Sequence, residues 1–120
     1  MSKKTLVLGA SLKPDRYSNM AIRKLVNYNQ ETVAFGMRSG EVAGVPIDTE
    51  LVDYKDIDTV TLYLNPTRQQ EYYDYVVNLK PKRVIFNPGT ENPAFYTILK
   101  AHNITFEVAC TLVLLSTNQY

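Results

Sequence analysis

Short apolar runs alternate with amphipathic stretches along the whole chain, and this alternation constrains the fold more than any other feature. The first unit is TLVLGASLKPDRYSNMAIRKL, residues 5–25. Leu6, Val7 and Leu8 form a continuous apolar run, as a strand covered on both faces requires. A turn led by Gly9 follows, and residues 18–28 then place Ile22, Leu25, Val26 and Tyr28 at helical spacing, with Ser18 as the expected N-cap. ETVAFG, residues 31–36, reads as a second strand closed by a glycine. The next segment, MRSGEVAGVPIDTEL, is rich in Gly and polar residues and reads as a loop holding a very short edge strand near residues 45–47. DTVTLYL, residues 58–64, is β-branched and aromatic, hence a strand.

Two later boundaries share a device. Asn65-Pro66 and Asn92-Pro93 each set a capping Asn before a Pro whose fixed φ suits a first helical turn. The helix after the first pair presents Tyr72, Tyr75, Val76 and Leu79 on one face; the helix after the second presents Phe95, Ile98 and Leu99. RVIFN (83–87) and ITFEVA (104–109) read as two more strands, and the chain closes in an apolar CTLVLLS that either finishes the core or seals a subunit interface. Strand-helix alternation of this kind predicts an α/β fold: a doubly wound, mainly parallel sheet of five to six strands with helices on both faces. At 120 residues the chain suits one domain, 1–120, and a hydrophobic share of 45% is enough to fill such a layered core.

Charge and rare residues narrow the function. A net charge of +1 gives no sign of a nucleic-acid or membrane-surface binder. The apolar run near the N-terminus is too short for a secretory or membrane-spanning segment, so the cytoplasm is the expected location. One cysteine, Cys110, excludes an internal disulfide framework and a multi-Cys zinc site, and a single histidine argues against a His-rich metal cluster.

Ligands of open parallel sheets bind beyond the carboxyl ends of the strands, near the switch in strand order. Four segments fall there: Gly9 to Asn19, Gly36 to Ser39, Leu64 to Thr67 and Asn87 to Asn92. In the first, backbone N–H groups around Ala10 and Ser11, the start of the helix, the Ser11 hydroxyl, Lys13 and Arg16 suit a phosphate. A tight turn with solvated charges is the plainer reading of the same residues. The second segment, AFGMRSG, lacks the acid that holds the ribose diol of NAD and offers Arg38 instead. That favours a ribose with an extra phosphate, the 2′-phosphate of NADP or the 3′-phosphate of coenzyme A (CoA), unless Arg38 is simply a solvated loop charge. Asn65, Asn87 and the backbone around Gly89 can serve adenine, ribose or a pantetheine amide, although capping alone accounts for both Asn-Pro pairs. Gly89 itself is explained by a turn of positive φ.

Taken together, VLGASLKPDRYSNMAIRKL, the Gly-ended second strand, LYLNP, RVIFNPGTEN and the late EVACTLVLL resemble the small, single-domain CoA-binding proteins, which are themselves similar to the N-terminal CoA-binding domain of the succinyl-CoA synthetase α subunit. The resemblance runs over nearly the whole chain and implies a Rossmann-like fold whose first loop holds the CoA phosphates. It carries the family's binding positions onto Gly9, Ala10, Ser11, Lys13, Arg16, Tyr17, Ser18 and Asn19, onto Gly36 and Arg38, onto Leu64, Asn65 and Pro66, and onto Asn87, Pro88 and Gly89. Cys110 matches a cysteine often seen near the family's C-terminus. Two departures stand out: GMRSG replaces a VNP-like sequence after the second strand, and the segment after Cys110 is apolar where many relatives carry charges.

No nucleophile-base pair is visible. His102, at the end of a helix, is expected to meet free carbonyls, Cys110 to pack as a small hydrophobe, and Tyr72, Tyr73 and Tyr75 to form a core face. The leading expectation is a non-catalytic module that binds CoA or an acyl-CoA as a carrier, sensor or regulatory subunit. The alternatives are an NADP-binding redox protein and the CoA-binding subunit of a multi-chain acyl-CoA ligase, with a homodimer or a ligase partner chain as the possible assemblies.

Overall fold

Leu6 and Leu8 pack on one side of the first strand and Val7 on the other, and all three are fully buried. A strand with apolar side chains on both faces needs cover on both, and the chain supplies it with two sets of helices. A computed structural model describes residues 2–120. The elements are β1 (Thr5–Ala10), α1 (Tyr17–Asn27), β2 (Thr32–Gly36), β3 (Gly40–Val42), β4 (Val45–Asp48), β5 (Thr59–Leu62), α2 (Pro66–Gln69), a 3₁₀ turn (Gln70–Tyr72), α3 (Tyr73–Leu79), β6 (Arg83–Phe86), α4 (Pro93–Ala101), β7 (Thr105–Val108) and α5 (Thr111–Ser116).

The strands form a seven-stranded sheet in the order β3-β4-β2-β1-β5-β6-β7, parallel throughout except for the β3/β4 pair. Numbered without β3, the six parallel strands run 3-2-1-4-5-6, so the direction of sheet growth reverses between β1 and β5. One core joins Leu6, Leu8, Val60, Leu62, Val84 and Phe86 to Val76 of α3 and to Phe95 and Leu99 of α4. The other joins Val7, Ala34 and Ile47 to Ile22 and Leu25 of α1 and to Leu115 of α5. Among the described residues no helix is long and apolar enough to cross a membrane.

Three sequence expectations change. The sheet has seven strands instead of five or six because residues 40–48 make a hairpin. Its two-residue turn, Ala43-Gly44, has φ of 52° and 82°, the primed geometry that matches strand twist. An Ala-Gly turn lacks the Asn-Gly signal, and Gly40-Glu41 has no apolar alternation, so β3 left no mark in the sequence. Second, Ser18 is not the N-cap of α1. The helix starts at Tyr17 with Arg16 at the N-cap, because the Lys13–Arg16 turn, closed by the Arg16 N–H donating to the Lys13 carbonyl (3.1 Å), brings the chain into helical geometry two residues sooner. Val26 and Tyr28, expected on the core face, are partly exposed, at 36% and 40%, and Tyr28 caps the helix end. Third, the helix after Pro66 is broken into α2, the 3₁₀ turn and α3. The closing CTLVLLS supplies helix α5, which adds Leu115 to the second core, one of its two expected roles, with Thr111 buried and Val113 exposed.

Both Asn-Pro pairs cap as expected. The Asn65 Oδ1 accepts from the Arg68 N–H (2.9 Å), and the Asn92 Oδ1 accepts from the Phe95 N–H (3.4 Å). His102 caps the end of α4 and its Nδ1 lies 2.9 Å from the Ile98 carbonyl oxygen.

Candidate functional site

The strand ends meet where two glycines remove a Cβ. Gly9 sits at φ 102°, interrupts the β1/β2 register, and leaves room for the β5 backbone: a Cβ there would stand 3.0 Å from the Tyr63 carbonyl carbon. A Cβ on Gly36 would stand 2.3 Å from the Ala10 carbonyl oxygen, closer than any side chain tolerates. The ends of β1, β2 and β5 therefore converge at the reversal point, the position at which open α/β sheets hold ligands.

A cavity of about 700 Å³ opens there. The first loop lines it with Gly9, Ala10, Ser11, Leu12, Lys13, Arg16, Tyr17 and Ser18; the end of β2 contributes Phe35, Gly36, Met37 and Arg38. The β5 side contributes Tyr63, Leu64, Asn65, Arg68 and Tyr72, and the β6 side Pro88, Gly89 and Thr90. Its size suits a cofactor-sized ligand. Four cations, Lys13, Arg16, Arg38 and Arg68, face it, and the lining includes no Asp or Glu. Among the described residues the ion pairs are Lys4–Glu31, Lys55–Asp53 and Arg83–Glu107, so all four cavity cations are unpaired.

Helix α1 begins at this cavity, with Arg16 in N-cap position at φ −81°, ψ 141°. No side chain caps it and its first turn holds no acid, so the N–H groups of Tyr17, Ser18 and Asn19 have no acceptor among the described residues. Together with the positive helix end they form an anion-accepting surface. The apolar wall is Phe35, Leu64 and Tyr72, with Phe35 and Tyr72 packed edge-to-face at 5.5 Å. Burial, and then the neighbouring Glu71 charge, raises the Tyr72 pKa, and burial raises that of Tyr63, so both phenols are neutral at ordinary pH.

Of the residues singled out in the sequence, thirteen share this lining: Gly9, Ala10, Ser11, Lys13, Arg16, Tyr17, Ser18, Gly36, Arg38, Leu64, Asn65, Pro88 and Gly89. Four lie behind it. Asn19 is buried and its Nδ2 donates to the Ser11 carbonyl (3.0 Å). Pro66 opens α2. Asn87 is buried with its amide fully engaged: Nδ2 donates to Thr61 Oγ1 (2.7 Å) and to the Leu62 carbonyl (2.9 Å), and Oδ1 accepts from the Thr111 N–H (2.9 Å). Cys110 is half-buried at the N-cap of α5.

Seven lining residues were not singled out: Leu12, Phe35, Met37, Tyr63, Arg68, Tyr72 and Thr90. Arg68 carried a usable signal, a cation three residues past a capping Asn at a strand end. Tyr72 was read as core, and it is core as well, being 7% exposed; no sequence signal separates a core tyrosine from one whose edge reaches a cavity.

A solved structure described only as an uncharacterized protein is 44% identical to this chain, covers 100% of it and 99% of its own length, and superposes with a TM-score of 0.97. A protein from Thermus thermophilus (23% identity, 99% and 91% coverage, TM-score 0.86) and a hypothetical protein from Pyrococcus horikoshii (24%, 97% and 83%, 0.85) share the fold. No functionally curated protein matches significantly. The sequence profile of a family described as "CoA binding domain" matches residues 3–116. A match that runs nearly end to end is decisive: the chain belongs to the CoA binding domain family.

Proposed function

We propose that the chain is a single Rossmann-like domain that binds CoA or an acyl-CoA across the strand ends and works in the cytoplasm as a carrier or regulatory module without turnover. The observation that carries this reading is the set of four unpaired cations facing one cavity whose lining has no carboxylate. CoA offers what such a site lacks, a diphosphate and a separate 3′-phosphate. The free first-turn N–H groups of α1, with Lys13 and Arg16, hold the diphosphate. Arg38 follows β2, where an NAD site would place its acid, and meets the 3′-phosphate. Asn65 and the backbone at Pro88 and Gly89 border the pantetheine arm, and Phe35, Leu64 and Tyr72 exclude water behind the ligand. No lining side chain pairs a nucleophile with a base, and Cys110 is not among the lining residues, which supports binding without chemistry.

Titration calorimetry with CoA, 3′-dephospho-CoA, NAD and NADPH tests the proposal. CoA is expected to bind tightest, with dephospho-CoA at least tenfold weaker, a loss of about 1.4 kcal/mol. Tighter binding of NADPH than of CoA would replace this reading with a redox one. ATP-dependent thioester formation with a co-purifying partner chain would replace it with that of a ligase subunit.

A further inference from the structure

A phosphate-binding loop must aim its N–H groups at the anion and its carbonyls elsewhere, because every lone pair left facing the ligand repels it. In the loop between β1 and α1, four carbonyls, those of Ser11, Lys13, Pro14 and Arg16, accept a hydrogen bond from within the chain. The Ser11 carbonyl accepts from Asn19 Nδ2 at 3.0 Å, and the Pro14 carbonyl accepts from Arg23 NH2 at 3.0 Å. Arg23 Nε donates to Asn19 Oδ1 at 2.8 Å, which fixes the orientation of that amide and hence which of its atoms faces Ser11. The Lys13 and Arg16 carbonyls accept from the Arg16 and Met20 N–H groups, each at 3.1 Å. Asn19 is buried and Arg23 is exposed on the second turn of α1, and neither lines the cavity.

We propose that Asn19 and Arg23 form a latch that presets the 11–18 loop for a diphosphate, turning the Ser11 and Pro14 carbonyls onto helix α1 and so away from the ligand. The latch rests on the CoA-binding reading for its natural ligand, but its physical claim concerns the anion alone. Arg23 is a positioning residue: its fork holds the Pro14 carbonyl directly and the Ser11 carbonyl through the Asn19 amide, a geometry that a lysine ammonium does not reproduce. Binding gains because the loop's order is established before the ligand arrives.

The test is calorimetry on the wild-type chain and on Arg23→Met, Arg23→Lys and Asn19→Asp, with CoA and inorganic pyrophosphate as separate probes and unfolding midpoints measured alongside. Both Arg23 variants are expected to fold and to lose at least about fivefold in affinity, by a similar factor for the two probes. Asn19→Asp keeps the acceptor for Arg23, loses the donor to Ser11, and is expected to lose more. Full affinity in Arg23→Lys would overturn the latch in favour of long-range charge. Unchanged affinity in Arg23→Met, with only a lowered midpoint, would reduce Arg23 to a structural residue. If the wild-type chain binds pyrophosphate but not CoA, the CoA reading fails and the latch is judged on pyrophosphate alone. If it binds neither, both fail.

Discussion

Helices α1 and α4 both follow a parallel strand closely, yet they treat their first turns in opposite ways. Helix α4 is sealed. Asn92 caps it, and the same Asn92 amide donates to Gln69 Oε1 (2.9 Å) and to the Tyr73 hydroxyl (2.8 Å), while Gln69 Nε2 donates to the Leu64 and Thr90 carbonyls (2.8 Å each). The β5 and β6 loops are thereby stapled together with their polar groups satisfied. Helix α1 is left open, with no capping side chain and three N–H groups unused among the described residues, and the Ser11 and Pro14 carbonyls of its loop are bound by α1 side chains. An uncapped helix start forgoes about 0.5–2 kcal/mol of stability. One junction spends its hydrogen bonds on the fold, and the other keeps them for a ligand.

The most forceful way to break this contrast is to cap the open helix. Arg16 already has N-cap backbone geometry, so Arg16→Asp places a carboxylate where it can accept from the α1 first turn. The variant is expected to gain about 0.5–1.5 kcal/mol in urea unfolding. Its CoA affinity is expected to fall by about 3 kcal/mol or more, since a charged hydrogen bond is lost and the new carboxylate competes with the diphosphate for the same donors. A variant that is neither more stable nor weaker in binding would remove the helix start from the site.

The converse change opens the sealed helix. Asn92→Ala strips the cap from α4 and leaves the Gln69 Oε1 and Tyr73 hydroxyl without their donor, in surroundings that are largely buried. A loss of about 2–4 kcal/mol in unfolding free energy is expected. Affinity for CoA, measured where the variant is fully folded, should stay within about twofold. A large loss of affinity together with a small loss of stability would show that the sealed side also meets the ligand.

Arg38→Ala probes the far end of the open side. The side chain is exposed and unpaired, so stability should hold within about 0.5 kcal/mol. CoA affinity is expected to drop by about 1–2 kcal/mol while 3′-dephospho-CoA is unaffected. Equal losses for both ligands would move Arg38 from the 3′-phosphate to the diphosphate.

The two junctions also differ in how well the sequence announced them. Asn65-Pro66 and Asn92-Pro93 combine a capping side chain with a residue of fixed φ, a local signal that needs no knowledge of the fold, and both caps form as expected. The open start of α1 gives the opposite result. Ser18 looked like a cap because its type allows it, but a turn through Pro14 and Asp15 decides where the helix begins. Parallel strands were legible because burial on both faces forces continuous apolar runs; β3, an edge strand on a two-residue Ala-Gly turn, obeys no such rule. Within the site, Arg68 was missed, but the glycines and the other three of the four cations, Lys13, Arg16 and Arg38, followed from the residue types themselves. Whether an amide faces a cavity does not: Asn87 and Asn65 are both polar residues at strand ends, and only packing directs the first inward to Thr61 and Thr111.

Asn65 stands between the two junctions and gives the finest test. It caps α2 through Oδ1, as Asn92 caps α4, yet it lines the cavity, and its Nδ2 has no intramolecular acceptor among the described residues. Asn65→Asp separates these functions, because Asp caps a helix about as well as Asn while replacing the free donor with a second acceptor oxygen. Stability is expected to hold within about 0.5 kcal/mol, whereas CoA affinity should fall by about 1 kcal/mol, roughly fivefold. A pantetheine carbonyl facing this position would lose its donor, and the added charge would attract Arg68 or Lys13 away from phosphate. If affinity is unchanged, Asn65 belongs with Asn92 as a residue that only closes a helix, and the ligand-facing part of the cavity shrinks to the α1 and β2 side.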